Sequence, residues 1–389
     1  MSRFDPRGVY YSFYMNILIV FGTRPEAIKL APVILELKKY PKKFRVLVVV
    51  TAQHREMLDQ VLEIFNIKPD IDLNLMEKNQ TLAGFAAKAL TTLDKCFKKE
   101  KPDMILVQGD TTTTWAASLA AFYNRIRIGH VEAGLRTGNR FSPFPEEINR
   151  ILTSHLADLH FAPTKWAAQN LIKEGIPKSR IFVTGNTVID ALHIVQAKIR
   201  SSTPRPLFSS AHFPFRSSAP YILITGHRRE NFGLGFKNIC KAIKTLSHKF
   251  PEYLFIYPVH LNPNVRKQVF KTLKGERNIR LIEPVDYVTF VRLMANCALI
   301  LTDSGGIQEE APAFGKPVLV MRDTTERPEA IWAGTAKLVG TDYQKIVKEV
   351  NLLLTNKRAY IHMAKRKNPF GIGNSALKIL KCIFVKYNY

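Results

Sequence analysis

From Asn16 onward the chain alternates short apolar runs with stretches whose apolar residues recur at helical spacing. Ile17–Phe21 reads as a strand and Gly22–Thr23 as a turn. Pro25 then opens a helix whose buried positions are Ala27, Leu30, Val33, Ile34 and Leu37. A strand at Arg45–Val50, helices at about Arg55–Phe65 and Leu82–Lys99, and a strand at Met104–Val107 follow. A helix of small residues, Trp115–Tyr123, leads to a short strand, Ile126–Gly129, that ends at His130 and Glu132. A proline-punctuated loop then carries Glu146 and Glu147. The next elements are a helix at Ile148–Ala157, a strand at Leu159–Ala162, a helix at Ala167–Glu174 and a strand at Arg180–Val183. Val- and Ile-rich strands alternating with helices predict an α/β protein with a parallel sheet covered on both faces.

Ser201–Pro220 is rich in Ser and Pro, has no sustained period, and reads as a connecting loop. The alternation then restarts with strands at Tyr221–Thr225, Leu254–Val259, Ile279–Ile282, Leu299–Thr302, Pro317–Met321 and Ala336–Val339. Two similar α/β halves facing across a cleft are therefore expected. Residues 1–14 form an extension outside the fold, 15–190 the first domain and 191–367 the second. A closing helix within 368–389 can serve either half, packing back on the first domain being one of the two placements.

A length of 389 residues exceeds one ordinary core. The 46% apolar and 10% aromatic content is that of a folded chain. No apolar run approaches the roughly 20 residues that span a bilayer, so no membrane insertion is expected. Ile17–Phe21 is followed by Gly-Thr-Arg-Pro-Glu rather than a cleavage site, which argues against a signal peptide. The 57 basic and 32 acidic residues leave a charge of +25, compatible with nucleic acid, an anionic surface or an anionic small substrate. The excess is spread over Lys38–Lys43, Lys95–Lys101, Lys237–Lys249 and Lys357–Lys367, on helix ends and polar faces. No recognition module accompanies it, so no nucleic-acid partner is expected. Four widely separated cysteines make no metal-ligand spacing and fit a reducing, cytoplasmic setting with no metal site.

The candidate chemistry lies where strands hand over to loops. Asp110 follows the Met104–Val107 strand, Glu132 follows the next, and Glu146 ends the loop beyond. Ligands bind at the carboxyl edge of open parallel sheets. Carboxylates gathered there suit proton transfer, because burial and mutual repulsion move their pKa values toward neutrality. Any one of them alone reads equally well as a helix cap or a surface acid. Arg24 in the Gly22–Glu26 turn, with Lys29 a turn into the helix, suits an anion. His227 in Gly-His-Arg-Arg-Glu can donate to a phosphate or protonate a leaving group; a capping or packing histidine is the plain alternative. In Asp303–Glu310, Ser304 can cap a helix, Gly305 and Gly306 let a pyrophosphate approach the backbone, and Glu310 can accept from ribose hydroxyls. No G-x-G-x-x-G opens the first domain, so no nicotinamide is indicated and no cofactor is expected. Arg327, with Glu326 or Glu329, reads as a surface ion pair when taken alone.

Taken together, VFGTRPEAIKLAP, TAQHREMLDQVL, QGDTTTTWAASLAAFY, GHVEAGLRTG, PFPEEINR, TGNTVIDAL, TGHRRENFG, YPVHLNPNVR, TDSGGIQEEAP and GKPVLVMRDTTERPEA closely resemble the non-hydrolysing UDP-N-acetylglucosamine 2-epimerases. The similarity runs in order from Met15 to about Gly340. It implies two Rossmann-like domains of the glycosyltransferase-B type, with the second binding UDP and the active site in the interdomain cleft. The implied reaction inverts C2 of UDP-N-acetylglucosamine to give UDP-N-acetylmannosamine. UDP is eliminated to leave a 2-acetamidoglucal and is then added back, and the product supplies cell-surface polysaccharide synthesis. The implied catalytic residues are Asp110, Glu132, Glu146 and His227. The implied nucleotide-sugar contacts are Arg24, Lys29, Phe290, Ser304, Gly305, Gly306, Glu310 and Arg327. A neighbouring regulatory site for UDP-N-acetylglucosamine falls on Gln53, His54, Arg55 and His260, and a homodimer is implied as well. The chain departs from the family pattern at Val285, in place of a glutamine near the uridine. It departs again at Gln108, where a histidine is frequent, and at Ile372, within the usual glycine–aspartate–glycine. A hydrolysing relative and a glycosyltransferase of the same fold are the competing enzymatic readings.

Overall fold

The computed structural model describes residues 14–51, 55–77, 80–201 and 219–387, without the side chains of 55–57 and 229. All of the expected N-terminal extension but Tyr14, most of the Ser/Pro-rich connection, and Gln53 and His54 lie outside the described residues. The chain divides into two compact units, one running to Ile194 and resuming at Phe370, the other spanning Val195–Pro369.

In the first unit the strands are β1 (Met15–Phe21), β2 (Phe44–Val50), β3 (Ile71–Asp72), β4 (Met104–Gln108), β5 (Arg127–Val131), β6 (Leu159–Ala162) and β7 (Ile181–Val183). The helices between them are α1 (Arg24–Lys38), α2 (Arg55–Ile64), α3 (Leu82–Glu100), α4 (Thr112–Tyr123), α5 (Glu146–Leu156), α6 (Lys165–Lys173) and α7 (Thr187–Ser201). The strands form one parallel sheet in the order β3-β2-β1-β4-β5-β6-β7. The order reverses between β1 and β4, the switch point at which doubly wound sheets open a ligand crevice. β1 and β4 are buried almost throughout, as a sheet covered on both faces requires.

The second unit repeats the plan. Its strands are β8 (Tyr221–Thr225), β9 (Leu254–Pro258), β10 (Ile279–Ile282), β11 (Leu299–Thr302), β12 (Val318–Val320) and β13 (Ala336–Leu338). Its helices are α8 (Leu234–Lys249), α9 (Pro263–Leu273), α10 (Tyr287–Asn296), α11 (Gly305–Glu310), α12 (Pro328–Trp332), α13 (Tyr343–Thr355) and α14 (Lys357–Ala364). The parallel order is β10-β9-β8-β11-β12-β13, with the switch point between β8 and β11. Its core joins strand residues such as Ile224, Phe255 and Leu301 to Ile239, Ile243 and Leu246 of α8 and Ile346 and Val350 of α13.

A closing helix, α15 (Ser375–Tyr387), belongs to the first unit. Asp190 of α7 accepts from the backbone N–H groups of Ser375 (3.1 Å) and Ala376 (3.0 Å), satisfying the start of α15. Its inward face buries Ile379, Leu380 and Ile383, and Phe384 meets the rings of Tyr40 and Phe44 at 5.9 and 5.1 Å. Such side chains contribute about 1.5–3 kcal/mol each when buried. Ile372, the departure in the preceding turn, is exposed and takes no part in this packing.

Three local expectations are corrected. β5 runs through His130 to Val131, because those residues pair with Val107 and Gln108 of β4. α4 starts at Thr112, three residues early, since Thr111 caps it by accepting from the Thr114 N–H. Glu146 and Glu147 form the first turn of α5 rather than the end of a loop, a favourable place for carboxylates beside exposed helix N–H groups.

Candidate active site

In the first unit the acidic residues cluster around the ends of β4 and β5. Gly109, at φ +73°, turns the chain out of β4, and its carbonyl accepts from Nε2 of His130 at 2.7 Å. Burial drives the His130 pKa down to about 3, against the pull of that hydrogen bond, so the ring is neutral. Asp110, next in the chain, pairs through Oδ2 with the buried Arg150 guanidinium, and its carbonyl accepts from Asn149 at 3.0 Å. Arg150 also lies 3.3 Å from Glu147. Glu147 accepts from the N–H groups of Thr137 and Gly138 at 3.0 Å and so ties down the preceding loop. Glu146, half-buried, stands one turn before Arg150 on the same helix.

Glu132 lies just past β5, buried, at φ +64°. A non-glycine residue there is strained, and such strain persists where surroundings hold it. Two side chains do so: the ammonium of Lys29, from the second turn of α1, and the Asn186 amide, which donates at 3.1 Å. The Asn186 N–H in turn donates to the Phe370 carbonyl at 2.7 Å, so the returning segment bears on Glu132. Arg24, half-buried, is the first residue of α1. Glu26, completely buried, joins α1 to α4: it accepts from the Gly22 and Thr23 N–H groups and from the Thr111 and Thr114 hydroxyls. Burial raises its pKa, and those bonds counter the rise only in part.

In the second unit, His227 follows β8 and Ser304 follows β11, the two strands flanking the switch point. His227 stacks on His260 with ring centroids 5.2 Å apart and planes 17° from parallel. Burial lowers the His227 pKa, helped by Arg228, His260 and Arg322, while the Asp303 carboxylate opposes the shift. Ser304 occupies the cap position of α11 but makes no side-chain capping bond there. At Gly305 a Cβ would come within 2.9 Å of Nη1 of Arg327, so a side chain there would push that guanidinium aside. Glu310 and Phe290 are half-buried, on α11 and α10.

Arg327, which taken alone reads as a surface ion pair, belongs instead to a network whose Glu309, Glu326 and Arg322 are buried. Arg327 Nε donates to Glu309 at 2.7 Å and its Nη1 lies 3.6 Å from Glu326. Glu326 also accepts from Arg322 at 2.8 Å, and Arg322 donates to Glu230 at 2.6 Å. Among the described residues, no group of three or more His, Cys, Asp or Glu is placed to hold a metal ion, and no helix is long and apolar enough to cross a membrane.

The structure thus brings Asp110, Glu132 and Lys29 onto one sheet edge, with Glu146 on the helix that braces it. It gathers His227, Ser304, Gly305 and Arg327 on another edge. His260 is exposed beside His227; the Arg55 side chain, like Gln53 and His54, lies outside the description. Sequence reasoning missed Arg150, Asn186, Glu26 and Asp303. Arg150 and Asn186 stand within strings already singled out, PFPEEINR and TGNTVIDAL, yet their partners lie 40 and 54 residues away. Asp303 opens the DSGGIQEE string, and only its place directly after an inner strand signals that it is buried.

A family model described as UDP-N-acetylglucosamine 2-epimerase matches residues 36–384. The UDP-N-acetylglucosamine 2-epimerase of Escherichia coli (strain K12) is 55% identical over 370 residues, 95% of this chain and 98% of that protein. That of Bacillus subtilis (strain 168) is 52% identical over 375 residues, 96% of each. A solved UDP-GlcNAc 2-epimerase from Neisseria meningitidis, bound to UDP-GlcNAc, superposes with TM-score 0.90 at 52% identity, covering 95% of this chain and 100% of that one. One from Methanocaldococcus jannaschii, in complex with UDP-GlcNAc and UDP, gives 0.81 at 37% identity, with coverage of 95% and 100%. The two Rossmann-like units, with the glycosyltransferase-B class they represent, and the relationship along nearly the whole chain agree: the chain belongs to the UDP-N-acetylglucosamine 2-epimerase family.

Proposed function

We propose that this protein interconverts UDP-N-acetylglucosamine and UDP-N-acetylmannosamine without net hydrolysis. In the forward direction a carboxylate takes the C2 proton, the C2–H electrons become the C1–C2 double bond, and the C1–O bond breaks with UDP leaving. The 2-acetamidoglucal then receives a proton at C2 from the opposite face while UDP re-adds at C1. Two faces require two proton-transfer groups, and Asp110, Glu132 and Glu146 divide that work. The observation that carries this reading is the placement of Asp110 and Glu132 at the ends of adjacent strands, each beside a buried cation, Arg150 or Lys29. A carboxylate so paired keeps a defined orientation where an isolated one would not.

The departing UDP carries the developing charge, so its stabilisation governs the barrier. In this reading His227 and Arg327 meet the diphosphate, with Ser304, Gly305 and Gly306 leaving the backbone open to it. Glu310 accepts from the ribose, Phe290 packs near the uridine, and Arg24 assists with the anion. Val285 cannot donate or accept through its side chain, so the base contacts nearby fall to the backbone. Gln53, His54, Arg55 and His260 form a second, regulatory UDP-N-acetylglucosamine site. The protein acts as a cytoplasmic homodimer supplying UDP-N-acetylmannosamine to surface polysaccharide synthesis.

The test is incubation with UDP-N-acetylglucosamine in deuterated water, following C2 by NMR. Deuterium at C2 together with the manno product supports the proposal. Absence of both overturns it. Stoichiometric free sugar assigns the hydrolysing reaction instead, and a requirement for an added acceptor assigns glycosyl transfer.

A further inference from the structure

Asp303 lies immediately after β11 and is completely buried, yet the chemistry above gives it no task. Its Oδ2 is saturated, accepting from the N–H groups of His227 and Arg228, both at 2.8 Å, and from the Asn231 amide at 3.2 Å. Its Oδ1 has no hydrogen-bond partner among the described residues. A carboxylate oxygen buried without a donor costs free energy, so such an oxygen marks a contact yet to be completed. Nδ1 of His227 lies 3.5 Å from that oxygen. A slight turn of the ring closes this gap, and catalytic hydrogen bonds that are long in the free enzyme tighten when substrate binds. One face of the ring stacks on His260.

We infer that Asp303 is a positioning residue for His227: by accepting from Nδ1–H it selects the tautomer whose Nε2 is free to carry a proton to the leaving diphosphate. The inference rests on the role given to His227 above. A solvent proton bound at Nε2 passes to a β-phosphate oxygen as the C1–O bond breaks, and returns to Nε2 when UDP re-adds. Among the described residues, the titratable and charged side chains that oppose the imidazolium include Arg228, Arg322 and His260. The Tyr257 hydroxyl, close by, is occupied in donating to the Gly226 carbonyl at 3.0 Å. The Asp303 carboxylate favours the imidazolium, and it can both orient the neutral ring and stabilise the charged one.

Asp303→Asn keeps a carbonyl for the three donors at Oδ2 but turns an amide N–H toward Nδ1, forcing the opposite tautomer. Turnover should fall by roughly 10²- to 10⁴-fold, the loss known when a buried aspartate under a catalytic histidine is amidated, with KM changed little. The alkaline limb of the kcat profile should move to lower pH, because the imidazolium loses its counter-charge. In a His227→Gln background the same substitution should cost almost nothing further. Long-range ¹H–¹⁵N spectra of the unaltered protein should show His227 protonated at Nδ1. The inference is overturned if His227 is an Nε2–H imidazole, if Asp303→Asn turns over within a few-fold of the parent, or if its effect persists undiminished without His227. Should the variant fail to fold, the spectrum of the parent still decides. If the parent neither exchanges C2 nor forms the manno product, the proposed function fails, while the tautomer remains a separate measurement.

Discussion

Glu326→Gln probes the arginine cluster of the second unit with a magnitude that the structure supplies. The Glu326 side chain is 4% exposed and lies 2.8 Å from Arg322, 3.6 Å from Arg327 and 4.0 Å from Arg228. Burial alone would raise its pKa, but the three guanidiniums together bring it from the ordinary 4.5 down to about 2. At ~1.4 kcal/mol per pH unit, that gap corresponds to ~3 kcal/mol of folding free energy at pH 7. This falls within the few kcal/mol lost when one partner is removed from a buried ion pair. Glutamine preserves size and removes the charge, while Arg322 and Arg327 keep Glu230 and Glu309. Because the folded carboxyl titrates below the unfolded one, the unfolded chain takes up the proton first on acidification. The stabilisation is complete above about pH 4.5 and is lost as pH falls through about 2. The deficit of the variant should therefore be ~3 kcal/mol at pH 7 and roughly half that at pH 3. Native-state hydrogen exchange of the β12 amides reads the second unit directly. A deficit below ~1 kcal/mol at pH 7, or one that does not shrink on acidification, would refute the reasoning.

Asp190→Ala should loosen α15 by about 1–2 kcal/mol, the cost of a lost helix cap, seen as faster exchange confined to that helix and the facing turns of α1. Lys29→Met removes the cation beside the Glu132 carboxylate, leaving the Asn186 donor, and should lower C2 exchange by roughly 100-fold or more; equal losses in the presence and absence of Glu132→Gln would argue against the pair. The His130 resonances should stay flat from pH 5 to 9, since its folded pKa is about 3. As the unfolded ring titrates near 6.5, His130 makes the fold less stable as pH drops below that value, and a folded-state midpoint between pH 5 and 8 would contradict its burial.

Most of the architecture was legible because buried parallel strands announce themselves as Val- and Ile-rich runs, as in Ile17–Phe21 and Leu299–Thr302. Shorter elements were not. Ile71–Asp72 pairs with Val49 and Val50 across only two residues, too few to show a period. The helices Pro328–Trp332 and Lys357–Ala364 each span few turns. Of the site, the loops following strands could be found by position and residue type. Their supports could not: Arg150 reaches back 40 residues to Asp110, and Arg322 reaches 92 residues to Glu230. Whether an arginine is a solvated charge or a buried strut is settled by tertiary contacts. The same reason hid Asp303, whose partners at 227, 228 and 231 lie on a different strand–loop junction.

The second unit interrupts the first, and this bears on biogenesis. About 175 residues, Val195 to Pro369, are synthesised before α15 emerges, which at ordinary elongation rates takes roughly 10 to 35 s. During that interval the greasy flank of α1 next to Tyr40 and Phe44 has no cover, and the Asn186 N–H lacks the Phe370 carbonyl that accepts from it. A nascent chain of this kind is a natural client for a ribosome-associated chaperone, because its first unit keeps an apolar face open until the polypeptide's final segment arrives.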